Sequence, residues 1–362
     1  MTDTPAPRPR LLLVGAGHAH LHLLDRAADL APHYDLTLVA PRWFHYSGTA
    51  SAVAGGVLPE AAGRVDVAAL ARRRGVRHLP GRVVDLDPVA RSARTDDGTS
   101  VTFDLVSLNL GSVVDPALLP EDCADVVPVK PLTGLIALRD SRGRRVSVIG
   151  AGASGLELAA QAAACGAQVT VLAGEVGADL PPRAVRRLRR RLASRGVLVR
   201  DGVEVRAVAP GATRLGDGSE VPHDLAVVAT GLVAPPELTR WGLAGAAGVD
   251  GVDGVDGVPV TAALTHPDHP HVLAAGDCAH FLPQPLPRVG VHGVRQGPVL
   301  LEGLLARARG GRPPAYVPPR RWLAVLDLGA GRGLAVRGRW WWEGRAALRL
   351  KRRIDRRWLA RY

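Results

Sequence analysis

Two glycine-rich turns hold the residues with the clearest chemical use, Gly15-Ala16-Gly17-His18-Ala19-His20 and Gly150-Ala151-Gly152-Ala153-Ser154-Gly155. A glycine lacks Cβ, so main-chain N–H groups can approach a pyrophosphate, and a helix starting directly after the turn points its positive end at the same anion. No lysine is needed. The second turn is a complete G-x-G-x-x-G that runs on into Leu156-Glu157-Leu158, and its candidate contacts are Gly150, Gly152, Ser154, Gly155 and Glu157. In the first turn Gly15, Gly17, His18 and Ala19 fit the pattern, whereas His20 stands where the third glycine belongs. An ordinary tight strand-to-helix turn is the competing reading of both.

Elements able to position such turns surround them. Leu11-Leu12-Leu13-Val14 and Val146-Ser147-Val148-Ile149 read as buried strands directly ahead of the glycines, and the residues behind them read as helices. After the first helix, near 18–30, comes a second strand over 34–39, completing a βαβ unit and implying a parallel sheet. In the usual nucleotide fold an acid at the end of that strand takes the ribose hydroxyls. Here the end reads Val39-Ala40-Pro41-Arg42, so backbone at Pro41, or Arg42 on a phosphate, is expected to take over. In the second unit Glu175 falls one or two positions late after the strand 169–172, which leaves NADH and NADPH both open.

Short alternating strands follow each unit. The stretch from Val83 carries the hairpin turn Asp96-Asp97-Gly98, and its counterpart carries Gly216-Asp217-Gly218. Each leads to a buried strand that exits at a glycine, Gly111 in the first case and Thr230-Gly231 in the second. A strand over 271–275 then ends at Gly276-Asp277, where Asp277 either meets a ribityl hydroxyl or serves as a turn or cap residue. The repetition predicts an α/β chain with two Rossmann-like three-layer dinucleotide-binding domains, one inserted in the other. The expected bounds are 1–115 and 236–315 for the outer domain, 116–235 for the inserted one, and 316–362 for a small C-terminal segment.

Composition agrees: 362 residues with 47% hydrophobic content and 42 glycines suit two or three α/β domains. The polar start and the lack of an apolar run of spanning length predict a cytoplasmic protein. Cys123, Cys165 and Cys278 show no zinc, disulfide or vicinal redox spacing; Cys165 reads as core, and Cys278 as a packed bystander or a sulfur nucleophile near a flavin. The run Asp250-Gly251-Val252-Asp253-Gly254-Val255-Asp256-Gly257 lacks the ligand order of a calcium loop, and no metal is assigned. The arginines of 183–192 read as a solvated helix face, with one or two available for the 2′-phosphate of NADPH.

Charge concentrates at the end, where 331–362 holds eleven basic residues against Glu343 and Asp355. Five of the seven tryptophans, Trp322, Trp340, Trp341, Trp342 and Trp358, fall within the last 41 residues, 322–362. Arginine beside tryptophan suits an anionic membrane surface. Internal or subunit packing is the alternative, and no nucleic-acid-binding signature is present.

Together these motifs resemble the pyridine-nucleotide-dependent flavoproteins of two-dinucleotide type. The resemblance is closest to the branch similar to type II NADH dehydrogenases and to the flavoprotein-like domain fused to some selenophosphate synthetases. The closer likeness rests on 14–20, Tyr46-Ser47-Gly48, Val129-Lys130-Pro131, 275–279, the string from Arg288 to Pro298, and Ile354-Asp355-Arg356-Arg357. It implies FAD in the outer domain, NADH or NADPH in the inserted one, and a quinone or similar acceptor. It also implies that the helix opening at Gly290-Val291 lies beside the flavin pyrimidine with Gln296, and that the tail meets the inner face of the cell membrane. The aromatic loop Trp43 to Gly48, Tyr46 included, either lies along the flavin ring or packs down on the protein, and Lys130, one of two lysines in an arginine-rich chain, is a candidate for charge stabilisation near the flavin. No catalytic side chain is assigned. The region 47–63 lacks the C-x₄-C of disulfide reductases. A sulfide:quinone oxidoreductase-like enzyme using Cys123 and Cys278, and a flavin-binding redox sensor with little turnover, are the other readings.

Overall fold

The structure, a computed structural model, describes residues 7–121, 123–244 and 257–362. The calcium-loop-like run over 250–256 lies outside the described residues.

Strand β1 (Arg10–Val14) leads through the first glycine turn into α1 (His18–Asp25), and β2 (Asp35–Ala40) pairs parallel to it, Val14 opposite Val39. With β3 (Arg77–Pro80), β4 (Leu105–Leu108) and the later strand Val272–Ala274 they form a five-stranded parallel sheet. All but the first residue of β1 are buried, which is why the strand reads as an unbroken apolar run.

The second sheet repeats the plan. It contains β5 (Val126–Pro128), β6 (Arg145–Ala151), β7 (Gln168–Val176), β8 (Leu198–Asp201) and β9 (Leu225–Val228), again parallel. Since the chain leaves the first sheet after β4 and rejoins it at 272–274, the second unit is inserted in the first. Each unit carries a small antiparallel sheet of three strands, starting at Val83–Asp87 and at Val205–Ala209.

Helices α2 (Ser47–Ala54), α3 (Ala153–Ala164) and α4 (Pro182–Ala193) follow. In α4, Ala184, Leu188 and Leu192 recur every four residues on the buried face, and most arginines point outward. Helix α5 (Gly290–Ala308) packs along α1.

Residues 316–362 depart from a free tail. Strands β10 (Leu323–Asp327), β11 (Gly333–Arg337) and β12 (Trp340–Gly344) form an antiparallel sheet, and α6 (Arg345–Leu359) returns across the molecule. Leu326, Leu328, Leu334 and Val336 join the core of the inserted unit, while Trp358 joins that of the first. Arg187 and Arg191 of α4 both grip Glu343. The segment therefore buckles the two units together. No helix among the described residues is long and apolar enough to cross a membrane.

Candidate functional site

The inserted unit presents the more open cradle. Gly155 packs so tightly that a Cβ there would lie 2.0 Å from the Gly150 carbonyl oxygen, whereas a Cβ on Gly152 would meet nothing within 4 Å. Helix α3 starts at Gly152 without a side-chain cap, so its first N–H groups, at Ala153, Ser154 and Gly155, face the turn as anion donors. Thr230 borders this turn, since a Cβ on Gly150 would lie 2.9 Å from that of Thr230, whereas Gly231, the next residue, packs against Leu118 and Asp115. These features fit a pyrophosphate.

Glu157, a candidate contact of this turn, has its carboxylate engaged by other elements. Its carboxylate is buried and takes hydrogen bonds from the Ser51 hydroxyl at 2.7 Å and the Asp327 amide at 2.7 Å, with Lys351 at 4.0 Å. Burial pushes it above the usual carboxylate range, against the pull of Lys351. It is a junction post between α2, α3 and β10.

In the first unit the turn is built differently. The His20 ring is fully buried; its Nδ1–H donates to the Gly15 carbonyl at 2.6 Å, and Nε2 accepts from the Ser107 hydroxyl at 2.8 Å. Burial lowers its pKa to about 4, so the ring is neutral. His20 thus ties the turn to β4 from within and supplies no cradle donor by its side chain. The main-chain N–H groups of Ala19 and His20 are committed too, both to the Asn109 side-chain oxygen, at 3.0 and 3.2 Å. Through these bonds both residues brace the framework of the turn. Asn109, absent from the expected set, also donates to the Ala275 carbonyl at 2.6 Å and joins the two turns of this site. Its only sequence signal is that the matching place in the second unit holds Ala229.

What faces the first cradle comes from several elements. A Cβ on Gly290 would lie 3.5 Å from the His18 ring and 3.8 Å from the Ser47 hydroxyl, so the N-termini of α1, α2 and α5 converge. Val291 belongs to the same first turn of α5. Gly111 adopts φ +78° beside open space. Asp277 accepts from Lys130 at 2.5 Å and from Ser112 at 2.9 Å. Burial would raise Asp277, yet Lys130 and Ser112 hold it below the usual range and keep it ionised. The Gly276 amide donates to the Gln296 side-chain oxygen at 2.6 Å, so Gln296 shapes the Gly-Asp turn. This donor set fits a dinucleotide whose phosphates and ribityl are held by several short contacts. Replacing Lys130 by methionine is expected to cost about 2 kcal/mol, less than the roughly 3–5 kcal/mol of a fully buried pair because the lysine stays partly exposed. Chemical denaturation alongside flavin retention checks it; an unchanged midpoint would refute the role.

Other expected residues lie as follows. Arg42 pairs with Asp66 at 3.0 Å and stacks on Trp43, so a phosphate would have to draw it away; Pro41 is exposed beside it. The Val83 side chain lies in the core. Tyr46 donates to Asp355 at 3.1 Å and stacks on Trp358, ring centres 4.2 Å apart. His18 touches Phe44, Tyr46 and Trp358, and burial takes its pKa to about 4. Cys278 is buried, its thiol pushed up to about 11, and Cys123 is raised as well, so neither is a ready thiolate.

A cavity of about 370 Å³ opens one ring away from this cradle, lined by His18 and His22 of α1, Val294, Arg295, Pro298 and Val299 of α5, and Tyr316, Trp358, Arg361 and Tyr362 among others.

Two Rossmann-like units, each with a glycine turn between its first strand and the helix that follows, define a chain built to bind dinucleotides. The chain belongs to the pyridine nucleotide-disulphide oxidoreductase family, whose model matches residues 9–297, and its cofactors are FAD and NAD(P)H. It is 29% identical over 252 residues to the nitric oxide reductase FlRd-NAD(+) reductase of Aeromonas hydrophila subsp. hydrophila, covering 67% of this chain and 60% of that protein. Its fold resembles the sulfide:quinone oxidoreductase from Aquifex aeolicus with a TM-score of 0.78 at 16% identity, covering 96% of this chain and 90% of that one. A ferredoxin reductase from Rhodopseudomonas palustris gives 0.72 at 24% identity over 91% and 82%.

Proposed function

We propose that the protein oxidises NADH or NADPH and delivers the electrons to a quinone or another small acceptor, in the manner of type II NADH dehydrogenases. The observation that carries this reading is the cavity between α1, α5 and α6, which shares His18 with the dinucleotide cradle. FAD held here would supply a hydride acceptor for the nicotinamide whose electrons can leave singly or in pairs. The protein's part is positional. Asp277, kept ionised by Lys130, orients the ribityl chain, and Gln296 fixes the turn that bears it. The rings of His18, Phe44, Tyr46 and Trp358 exclude water between cradle and cavity.

Anaerobic mixing with NADH or NADPH is expected to bleach the flavin band within seconds, and added quinone to restore it. Val294→Trp, which fills the cavity from α5, is expected to raise the quinone KM at least tenfold with flavin reduction unchanged. Equal KM values would defeat the acceptor reading. A coloured protein that neither nucleotide reduces would favour a redox sensor.

Contact with the inner face of the membrane is part of the same reading. Trp340 and Trp342 point the same way from β12 and are 79% and 41% exposed, and Arg349, Arg352, Arg353 and Arg356 are exposed on α6 nearby in sequence.

A further inference from the structure

Tyr316 lines the cavity, is 4% exposed, and sets its hydroxyl oxygen 2.8 Å from His292 Nδ1. His292 is equally buried, and its Nε2 meets no hydrogen-bond partner. The two arrangements of this pair leave different groups without a protein partner. If the phenol donates to Nδ1, then Nε2 must carry a hydrogen that goes nowhere. If Nδ1–H donates to the phenol oxygen, Nε2 keeps only a bare lone pair. His292 Nε2 is enclosed, whereas Tyr316 lines the cavity, where its hydroxyl hydrogen can meet solvent or a ligand; the second arrangement therefore leaves only an enclosed acceptor unsatisfied and the first an enclosed donor, which is the rarer case and favours the second. Burial also keeps His292 from taking up a second proton, with Asp277 and Arg295 as the charges that face it.

In that arrangement the hydroxyl hydrogen of Tyr316 is left without a protein partner beside a cavity. The charged side chains that line this cavity are Arg295 and Arg361, and no carboxylate is among its described lining residues. Its volume matches a ligand of one or two rings.

We propose that Tyr316 is the hydrogen-bond donor of this cavity, its polarity set by His292, and that the cavity selects planar ligands bearing an oxyanion or a carbonyl oxygen. The proposal rests on the reading of the cavity as the acceptor site. Tyr316 determines specificity, and His292 positions its hydrogen.

The test is calorimetric titration of the full-length, FAD-loaded, oxidised protein with 2-hydroxy-1,4-naphthoquinone, which is anionic at neutral pH, and with menadione, which lacks the hydroxyl. No nucleotide is added, so turnover is not read. The wild type is expected to bind the hydroxyquinone more tightly, and Tyr316→Phe to weaken it about tenfold. Binding of the probe by the wild type but equally by Tyr316→Phe would overturn the donor role and leave the acceptor cavity standing. Binding of neither quinone by the wild type would bring down the acceptor reading and this proposal together. Should Tyr316→Phe lose its flavin, nitrogen NMR of histidine-labelled wild type decides: a protonated Nδ1 at His292 supports the arrangement, and a protonated Nε2 refutes it.

Discussion

Gly155→Ala is expected to weaken NAD(P)H binding about a hundredfold while leaving the flavin in place. The added methyl carbon would lie 2.0 Å from the Gly150 carbonyl oxygen, a main-chain atom that cannot swing aside. Relief requires α3 to lift from β6, which spreads the N–H groups of Ala153 and Ser154 away from a common focus. Crowding of this kind costs about 3 kcal/mol, so nucleotide affinity is expected to fall about a hundredfold. Nucleotide titration at unchanged flavin absorbance measures it, and wild-type affinity would refute the cradle. The first unit supplies the contrast, because the same position there holds His20. Replacing His20 by glycine restores the motif on paper, yet it is expected to destabilise the fold by about 2–3 kcal/mol, by opening a void and stranding the Ser107 hydroxyl. That variant also has a pH signature. A histidine held neutral in the fold, at about 4 instead of 6.5, contributes stability above pH 6.5 that is lost as pH falls toward 4. The wild type therefore loses more stability between pH 7 and 5 than His20→Gly does, and equal slopes in thermal melts would refute the buried neutral ring.

Deleting residues 331–362 is expected to abolish folding and not merely to release a membrane anchor. The deletion removes Leu334 and Val336 from one core and Trp358 from the other, and it leaves buried Glu157 without Lys351. Each buried apolar side chain contributes about 1.5–3 kcal/mol, and the loss overtakes a net stability of about 5–15 kcal/mol. Soluble, flavin-bearing truncated protein would contradict the structural role. The membrane reading is tested instead by Trp340→Ala with Trp342→Ala, which touches exposed rings only. Sedimentation with anionic vesicles is expected to drop severalfold while flavin content stays constant, and unaltered sedimentation would end the membrane reading.

The scaffold was legible where local pattern decides it. An apolar run, a glycine turn and a helix within twenty residues need no distant information, and the same sequence logic recurs about 135 residues later. The site was legible only in part. His20 is held by Ser107, and Ala19 by Asn109, partners some ninety residues away that no spacing rule connects. Glu157 continues a nucleotide motif in sequence but turns to Ser51 and Asp327 because β10 packs there. Composition grouped Trp340, Trp342 and Trp358 together, whereas alternation along β12 and the inward face of α6 give the first two to the surface and the last to the core.

The chain's 46 basic residues include two lysines, and each lies in a polar nest: Lys130 against Asp277 and Ser112, Lys351 against Gly48 and Asp355. Reagents that acylate primary amines, and proteases that cut after lysine, consequently find little to attack in the folded chain. The speed at which Lys130 is labelled becomes a clock for how often the Asp277 turn springs open.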